Sequence, residues 1–183
     1  MLLPKPAVQL LGAVVFVVLV ALAIPFLATP SVEASPGALT KTYSNPAWGF
    51  MLKMPADFAA YPPNATPERD ASGAPTGQAL LLQNKDGAMV QIEITPDTRM
   101  EPGTNLTVDD IARSAPYFDL SKAMPIEIAP GVVGVTFTDT EHPNFGSSTQ
   151  HVWFAYRGNL YQVMADAKFA ALLKSMIATW TFI

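Results

Sequence analysis

The sequence contains no cysteine, and this absence removes several chemistries at once. Disulfides, thiolate metal sites, a cysteine nucleophile and a lipid-bearing cysteine are all excluded. Charged residues are also scarce, at 14% of the 183 positions, and they form no run of either sign. Because the formal net charge is -4 and no basic patch is present, we expect no nucleic-acid partner.

Hydrophobic residues are concentrated at the start of the chain. From Ala7 to Leu27 only Gln9 is clearly polar, and a helix of this length would measure about 31 Å, close to the hydrocarbon thickness of a bilayer. Lys5 precedes the stretch and Glu33 is the first charge after it, so the positive-inside rule places the N-terminus in the cytoplasm. The sequence therefore predicts a transmembrane anchor or signal peptide over 1–28, with the rest of the chain outside the cytoplasm.

Two fates of this segment remain open. Its hydrophobic length favours an uncleaved single-pass anchor in the cytoplasmic membrane, whereas Ala34 followed by Ser35 resembles a small-residue cleavage site. Cleavage after Ala34 would release a secreted protein. Residues 29–40 contain proline, serine and glycine without hydrophobic periodicity, which indicates a flexible tether. The remaining residues, 41–183, suit one globular domain.

The periodicity of this domain indicates an α+β fold. A capping box at Thr107 and Asp110 predicts a short helix, and an apolar stripe after Asp166 predicts a second one. Prolines and glycines over 59–77 predict a surface loop. Alternating or β-branched runs predict strands at 50–54, 80–83, 90–94, 126–128, 132–138, 152–156, 160–164 and 179–183. Because most strands follow one another as hairpins, we expect an antiparallel sheet with helices packed on its faces.

Both ends of the domain resemble a known family. Its opening shows Tyr43, Asn45, Gly49-Phe50, Pro55 and the aromatic Phe58, which is similar to the opening of PsbP-like domains, although Met54 stands where the family has a tyrosine. The closing segment, 176–183, is similar to the family's last helix and short aromatic strand, with Trp180 in place of phenylalanine.

The resemblance implies an α/β/α sandwich around an antiparallel sheet over 41–183. Many bacterial PsbP-like proteins carry an N-terminal anchor or signal, as this chain is predicted to do, and have no assigned activity. The family's namesake is a non-enzymatic extrinsic subunit of photosystem II. That role is not carried over, because Gly49 and Pro55 bracket a strand and so belong to the scaffold.

Four residues form the best candidate for metal binding. They are Asp139, Glu141, His142 and His151, and carboxylate and imidazole are established ligands of divalent cations. Their spacing matches no metal motif, and a solvated loop with a few charges is the alternative interpretation. No other cofactor is predicted.

The same region offers a weaker catalytic alternative. Ser147 or Ser148 with His151 and Asp139 would supply the groups of a hydrolytic triad, but no glycine-framed nucleophile elbow is present. We therefore predict that the protein is not an enzyme. It is expected to be a membrane-tethered extracytoplasmic accessory or binding domain, with an envelope protein complex as possible partner. A secreted small-ligand or metal carrier and an extracytoplasmic hydrolase are the alternatives.

Overall fold

The computed structural model describes residues 37–62, 67–97, 103–140 and 148–183. The anchor or signal predicted over 1–28, the cleavage site after Ala34 and most of the tether over 29–40 lie outside these ranges. Within them, no helix combines the length and apolar character needed to cross a membrane.

The described residues form eleven strands and two helices. The helices are α1 (Val108–Ser114) and α2 (Ala170–Ile177), the latter preceded by a 3₁₀ turn over Ala167–Phe169. The strands are β1 (Leu39–Asn45), β2 (Phe50–Pro55), β3 (Ala59–Tyr61), β4 (Glu68–Arg69), β5 (Pro75–Gln83), β6 (Met89–Pro96), β7 (Met124–Ala129), β8 (Val132–Asp139), β9 (Thr149–Tyr156), β10 (Asn159–Asp166) and β11 (Thr181–Phe182).

These strands pair into two sheets. The large sheet has the order β3-β5-β6-β10-β9-β8-β7, with β4 also paired to β5, and the small sheet has the order β1-β2-β11. Every strand pair in the described ranges is antiparallel. The predicted α+β class with antiparallel strands is confirmed, but the expectation of one sheet is wrong. The closing strand pairs with β2 and so builds a second sheet.

Each face of the large sheet carries a core of its own. The larger core lies between this sheet, the small sheet and α2. The smaller core lies on the opposite face under α1. Successive side chains of β9 point to opposite faces of the sheet and so contribute to both cores. Val152 and Phe154 belong to the larger core, whereas Trp153 and Ala155 belong to the smaller one.

Both predicted helices are present, and α1 begins at the predicted cap, whereas α2 has no side-chain cap of its own and the predicted cap residue Asp166 lies one 3₁₀ turn earlier. In α1 the hydroxyl of Thr107 accepts a hydrogen bond from the backbone N–H of Asp110, whose carboxylate accepts one from the backbone N–H of Thr107, which completes the capping box. The carboxylate of Asp166 caps the turn before α2. The apolar stripe of α2 faces the larger core, with Leu172, Leu173, Met176 and Ile177 buried.

A buried polar network fixes the turn between β1 and β2. The amide of Asn45, only 2% exposed, donates to Tyr43 Oη at 3.3 Å and to Gln78 Oε1 at 3.2 Å. Its oxygen accepts the backbone N–H of Trp48, and Tyr161 Oη donates to the carbonyl oxygen of Trp48 at 3.0 Å. The tyrosine and asparagine that carry the family resemblance therefore hold the scaffold together.

The same turn is tied to the C-terminus. Gly49 adopts a φ of +69°, and a Cβ at this position would lie 3.1 Å from the carbonyl oxygen of Ile183. The backbone N–H of Ile183 donates to the carbonyl oxygen of Gly49 at 2.8 Å. Glycine is favoured there for both reasons, since other residues rarely adopt this conformation and a Cβ would press against the Ile183 carbonyl oxygen.

Two parts of the sequence prediction differ from the structure. The stretch 59–77 was expected to be a loop, but it contains β3, β4 and the first residues of β5. The strand β1 was not predicted, and it begins at Leu39, inside the end of the predicted tether. In both places the strands form because they pair with a neighbouring strand. Local amino-acid composition does not predict such pairing.

Candidate functional site

The predicted metal-binding residues lie at the connection between β8 and β9. Asp139 ends β8 and is paired with Thr149, while His151 is paired with Phe137. Asp139 and His151 therefore occupy diagonal positions on one face of the sheet. The Cα atoms of residues in such positions are typically about 7 Å apart. Glu141 and His142 lie outside the described residues.

His151 is enclosed by aromatic rings. Its side chain is fully buried and stacks on Phe137, with ring centroids 4.8 Å apart and an interplanar angle of 7°. Phe118 and Trp153 contact it at centroid distances of 5.2 and 6.4 Å. In the described ranges, no three histidine or acidic side chains gather closely enough to hold a metal ion. A site at His151 would thus need the ligands predicted in the 141–147 connection, and it stays a prediction.

The serine of the hydrolase alternative has a structural partner. Ser148 Oγ donates to the backbone carbonyl oxygen of Asp139 at 3.2 Å, which joins the end of β8 to the start of β9. Ser147 lies outside the described residues. The triad interpretation, like the metal site, stays untested.

A cleft at the opposite end of β8 and β9 is the second candidate. It measures about 220 Å³ and forms where the β7–β8 turn, the β9–β10 turn and the segment before α1 meet. Its lining residues are Gly103, Thr104, Asn105, Pro130, Gly131, Val132, Ala155, Tyr156 and Arg157. The cleft thus combines one cation, one aromatic ring, two small polar side chains and two glycines.

Arg157 reaches the cleft from a tight turn. Tyr156 ends β9 and Asn159 begins β10, so the hairpin loop has two residues, Arg157 and Gly158, with φ angles of +48° and +75°. Positive φ at both positions is typical of a type I′ turn. The guanidinium carbon lies 5.1 Å from the ring centroid of Tyr156, and that ring stacks on Phe182 at 3.6 Å. A rigid aromatic surface therefore supports the cation.

The segment before α1 is fixed to the sheet through Asn105. Its Oδ1 accepts a hydrogen bond from the backbone N–H of Val133 at 2.9 Å. Because Oδ1 is the acceptor, the Nδ2 group is the donor that remains, and it makes no hydrogen bond to the described part of the chain. The hydrogen bond to Val133 therefore fixes Asn105 in the lining of the cleft, and the Nδ2 group of Asn105 remains as a hydrogen-bond donor.

Three carboxyl groups of the described scaffold accept hydrogen bonds in caps and turns. The hydroxyl of Ser72 lowers the pKa of Asp70, and the hydroxyl of Thr107 lowers the pKa of Asp110. The pKa of Asp119 is lowered by the backbone N–H two residues further along. A carboxylate stabilised in its ionised form is a poor general acid, so these three groups serve structure.

These lowered pKa values predict an acid-sensitive fold. Because the unfolded chain binds the protons more readily, stability from Asp110 is fully present above the unfolded value near 3.8 and is lost as the pH falls through the lower folded pKa. We expect urea denaturation of the full chain, repeated from about pH 6 to about pH 2, to show stability falling below this value. Asp110→Asn should make that fall less steep, and an unchanged slope would contradict the assignment.

Comparison with known proteins adds one structural similarity. No family model matches the chain, and no curated protein matches it. The structure is similar to the solution structure of cyanobacterial PsbP from Synechocystis sp. PCC 6803, with 11% identity, a TM-score of 0.47, and coverage of 87% of this chain and 99% of the other. At this identity and score the similarity carries no information on ligand, partner or activity. PsbP-like membership, predicted from the two ends of the domain, stays a prediction.

Sequence reasoning did not identify the cleft. Arg157 falls between the strands predicted at 152–156 and 160–164, and no motif in the sequence marks Asn105 as a binding residue. The pair Arg157-Gly158 in a two-residue hairpin loop was the available clue, because asparagine is preferred at the first of these positions.

Proposed function

We propose that the chain is an accessory or binding domain without catalytic activity, tethered at the outer side of the cytoplasmic membrane. The tethering rests on the apolar stretch Ala7–Leu27 with Lys5 before it and Glu33 after it. The binding role rests on the cleft beside Arg157, where a cation and an aromatic ring meet two polar side chains on a rigid hairpin scaffold.

The absence of catalysis is proposed from how several polar groups of the described residues are used. Asn45 and Gln78 bond to each other inside the core, and Asp110 caps a helix. Burial raises the pKa of Tyr161 to about 12, so this hydroxyl stays protonated and donates to a backbone carbonyl oxygen. Catalysis requires reactive groups that converge on one point, whereas these groups bond to the scaffold.

The location is tested with a reporter that is active only after export, fused behind Ile183 through a flexible linker. We expect reporter activity and retention of the full chain in carbonate-washed membranes, because about twenty apolar residues prefer lipid to water. A fusion that remains in the cytosol would contradict the proposal. A soluble form that starts at Ser35 would replace the anchor with the secreted alternative.

The accessory role is tested by crosslinking the full chain in intact cells. We expect a specific envelope partner to co-purify with the wild-type protein. A monomer without crosslinked partner across several growth conditions would contradict an accessory role in a complex. Such a result would leave a small ligand as the remaining kind of binding partner.

A further inference from the structure

We propose that the cleft between the β7–β8 turn, the β9–β10 turn and the segment before α1 binds a small oxyanion, a carboxylate or phosphate group, through the guanidinium of Arg157. The inference rests on the proposed binding function and deepens it, because it names the chemistry of the ligand. Four features of the cleft support this assignment: the backbone of Arg157, the polarity of the walls, the size of the cleft and the support of the cation.

The backbone of Arg157 is the first of these features. In the described part of the chain it is the single non-glycine residue with a positive φ, at +48°. The type I′ turn requires this conformation at its first position, and asparagine, aspartate and glycine adopt it more readily than arginine. Strain of this kind persists where the side chain has a role at that place. Here that place is the rim of the cleft.

The polarity of the walls selects the sign of the ligand. None of the described residues that line the cleft is acidic, and Arg157 forms no ion pair with a carboxylate in the described ranges. Asn105 Nδ2 and the Thr104 hydroxyl add neutral donors. A guanidinium offers paired N–H groups that match the two oxygens of a carboxylate or phosphate.

The size of the cleft limits the ligand to a small molecule. A volume of about 220 Å³ corresponds to roughly seven water molecules at liquid density. Gly103 and Gly131 both line the cleft and both have positive φ angles. Without side chains at these positions, a ligand can approach the backbone directly.

The support of the cation favours a preorganised site. The guanidinium carbon of Arg157 lies 5.1 Å from the ring centroid of Tyr156, and this ring is stacked on Phe182. Holding the side chain against a fixed ring lowers the conformational entropy that ligand binding would otherwise cost. Lysine would retain the charge but lose the planar stacking and the paired donors.

The test uses the full chain in non-ionic detergent micelles, with inorganic phosphate, citrate and acetate as probes against chloride at equal ionic strength. We expect at least one oxyanion to raise the thermal midpoint and to shift the ¹⁵N–¹H signals of Gly131 and Gly158. Arg157→Asn should weaken this binding about ten- to a hundredfold, as expected for the loss of charge-assisted hydrogen bonds. Arg157→Lys should give an intermediate loss.

Arg157→Asn also separates binding from folding. Asparagine followed by glycine is the preferred pair in a type I′ turn, so the variant without ligand should have a thermal midpoint at or above that of the wild type. Lys85→Asn is the matched control, because Lys85 is an exposed cation in the β5–β6 hairpin turn. That turn lies at the other end of β6, about 23 Å away, so oxyanion binding should be unchanged.

Two results would overturn the proposal. One is a wild-type protein that none of the three oxyanions stabilises beyond chloride, and the other is oxyanion binding that survives in Arg157→Asn. Neither would affect the reporter and crosslinking tests, so the accessory role can stand if the oxyanion site fails.

A final comparison distinguishes the two sources of a phosphate group. The full chain is placed in nanodiscs of zwitterionic lipid or in nanodiscs that also contain an anionic lipid. Binding of free phosphate that is equal in both supports a soluble ligand, whereas competition by the anionic lipid supports a lipid headgroup at the same site.

Discussion

Gly134→Ala should lower the free energy of unfolding by about 3 kcal/mol or more, enough to unfold much of the protein. Gly134 is buried in β8, and a Cβ there would lie 2.8 Å from the Cβ of Phe154 and 3.2 Å from the carbonyl carbon of Trp153. It would also overlap the carbonyl oxygen of Trp153. Since that backbone belongs to β9, the added methyl group can be accommodated only by separating two central strands.

The measurement is urea denaturation of the full chain, followed by circular dichroism. Gly37→Ala is the matched control, because its Cβ would meet nothing within 4 Å and no positive φ is recorded there. This change should leave stability within about 0.5 kcal/mol of the wild type. Equal stability of the two variants would contradict the close approach of β8 and β9.

Phe50→Ala is expected to cost about 3 to 5 kcal/mol. The ring of Phe50 is fully buried and stacks on Trp180, with centroids 4.4 Å apart and an interplanar angle of 12°. Tyr161 packs against it edge-on at 6.1 Å. Tyr43 is a third aromatic neighbour, also at 6.1 Å, so the substitution removes a large apolar side chain and three aromatic contacts from the larger core.

Tyr117→Ala supplies the control for aromatic removal, because Tyr117 is 78% exposed. Its loss should change the urea midpoint only slightly. A similar loss in both variants would show that the stacked position of Phe50 contributes little. Phe50→Leu should fall between the two, since it retains much of the buried apolar area.

Features with a local physical cause could be predicted from the sequence. The strands predicted at 80–83 and 90–94 are joined by a tight turn over Asn84–Gly87, with Gly87 at a φ of +83° and Asn84 Oδ1 accepting backbone N–H groups of the turn. Capping at Thr107 likewise depends on a side chain three residues from its partner. Such interactions need no knowledge of the rest of the fold.

Features that depend on distant pairing could not be predicted. In β1 only Tyr43 and Asn45 are buried, so the strand lacks a hydrophobic alternation and is specified by its partner β2. The second sheet has the same origin, because it requires β11 to return beside a strand near the start of the domain. Only the tertiary structure supplies these neighbours.

The candidate sites divide in the same way. Asp139 and His151 were grouped because they are near in sequence, and strand register does place them on one face. The cleft draws on residues near 104, 131 and 157, which no local pattern connects. These residues come together only because the fold brings the β7–β8 turn, the β9–β10 turn and the segment before α1 to one end of the sheet.

The pairing of β11 with β2 also sets an order for assembly. Trp180 stacks on Phe50 and Phe182 lies opposite it in the small sheet, so ring packing around Phe50 stays incomplete until β11 has been made. During synthesis from the N-terminus, β2 would therefore stay without this partner strand until every strand of the large sheet has been made.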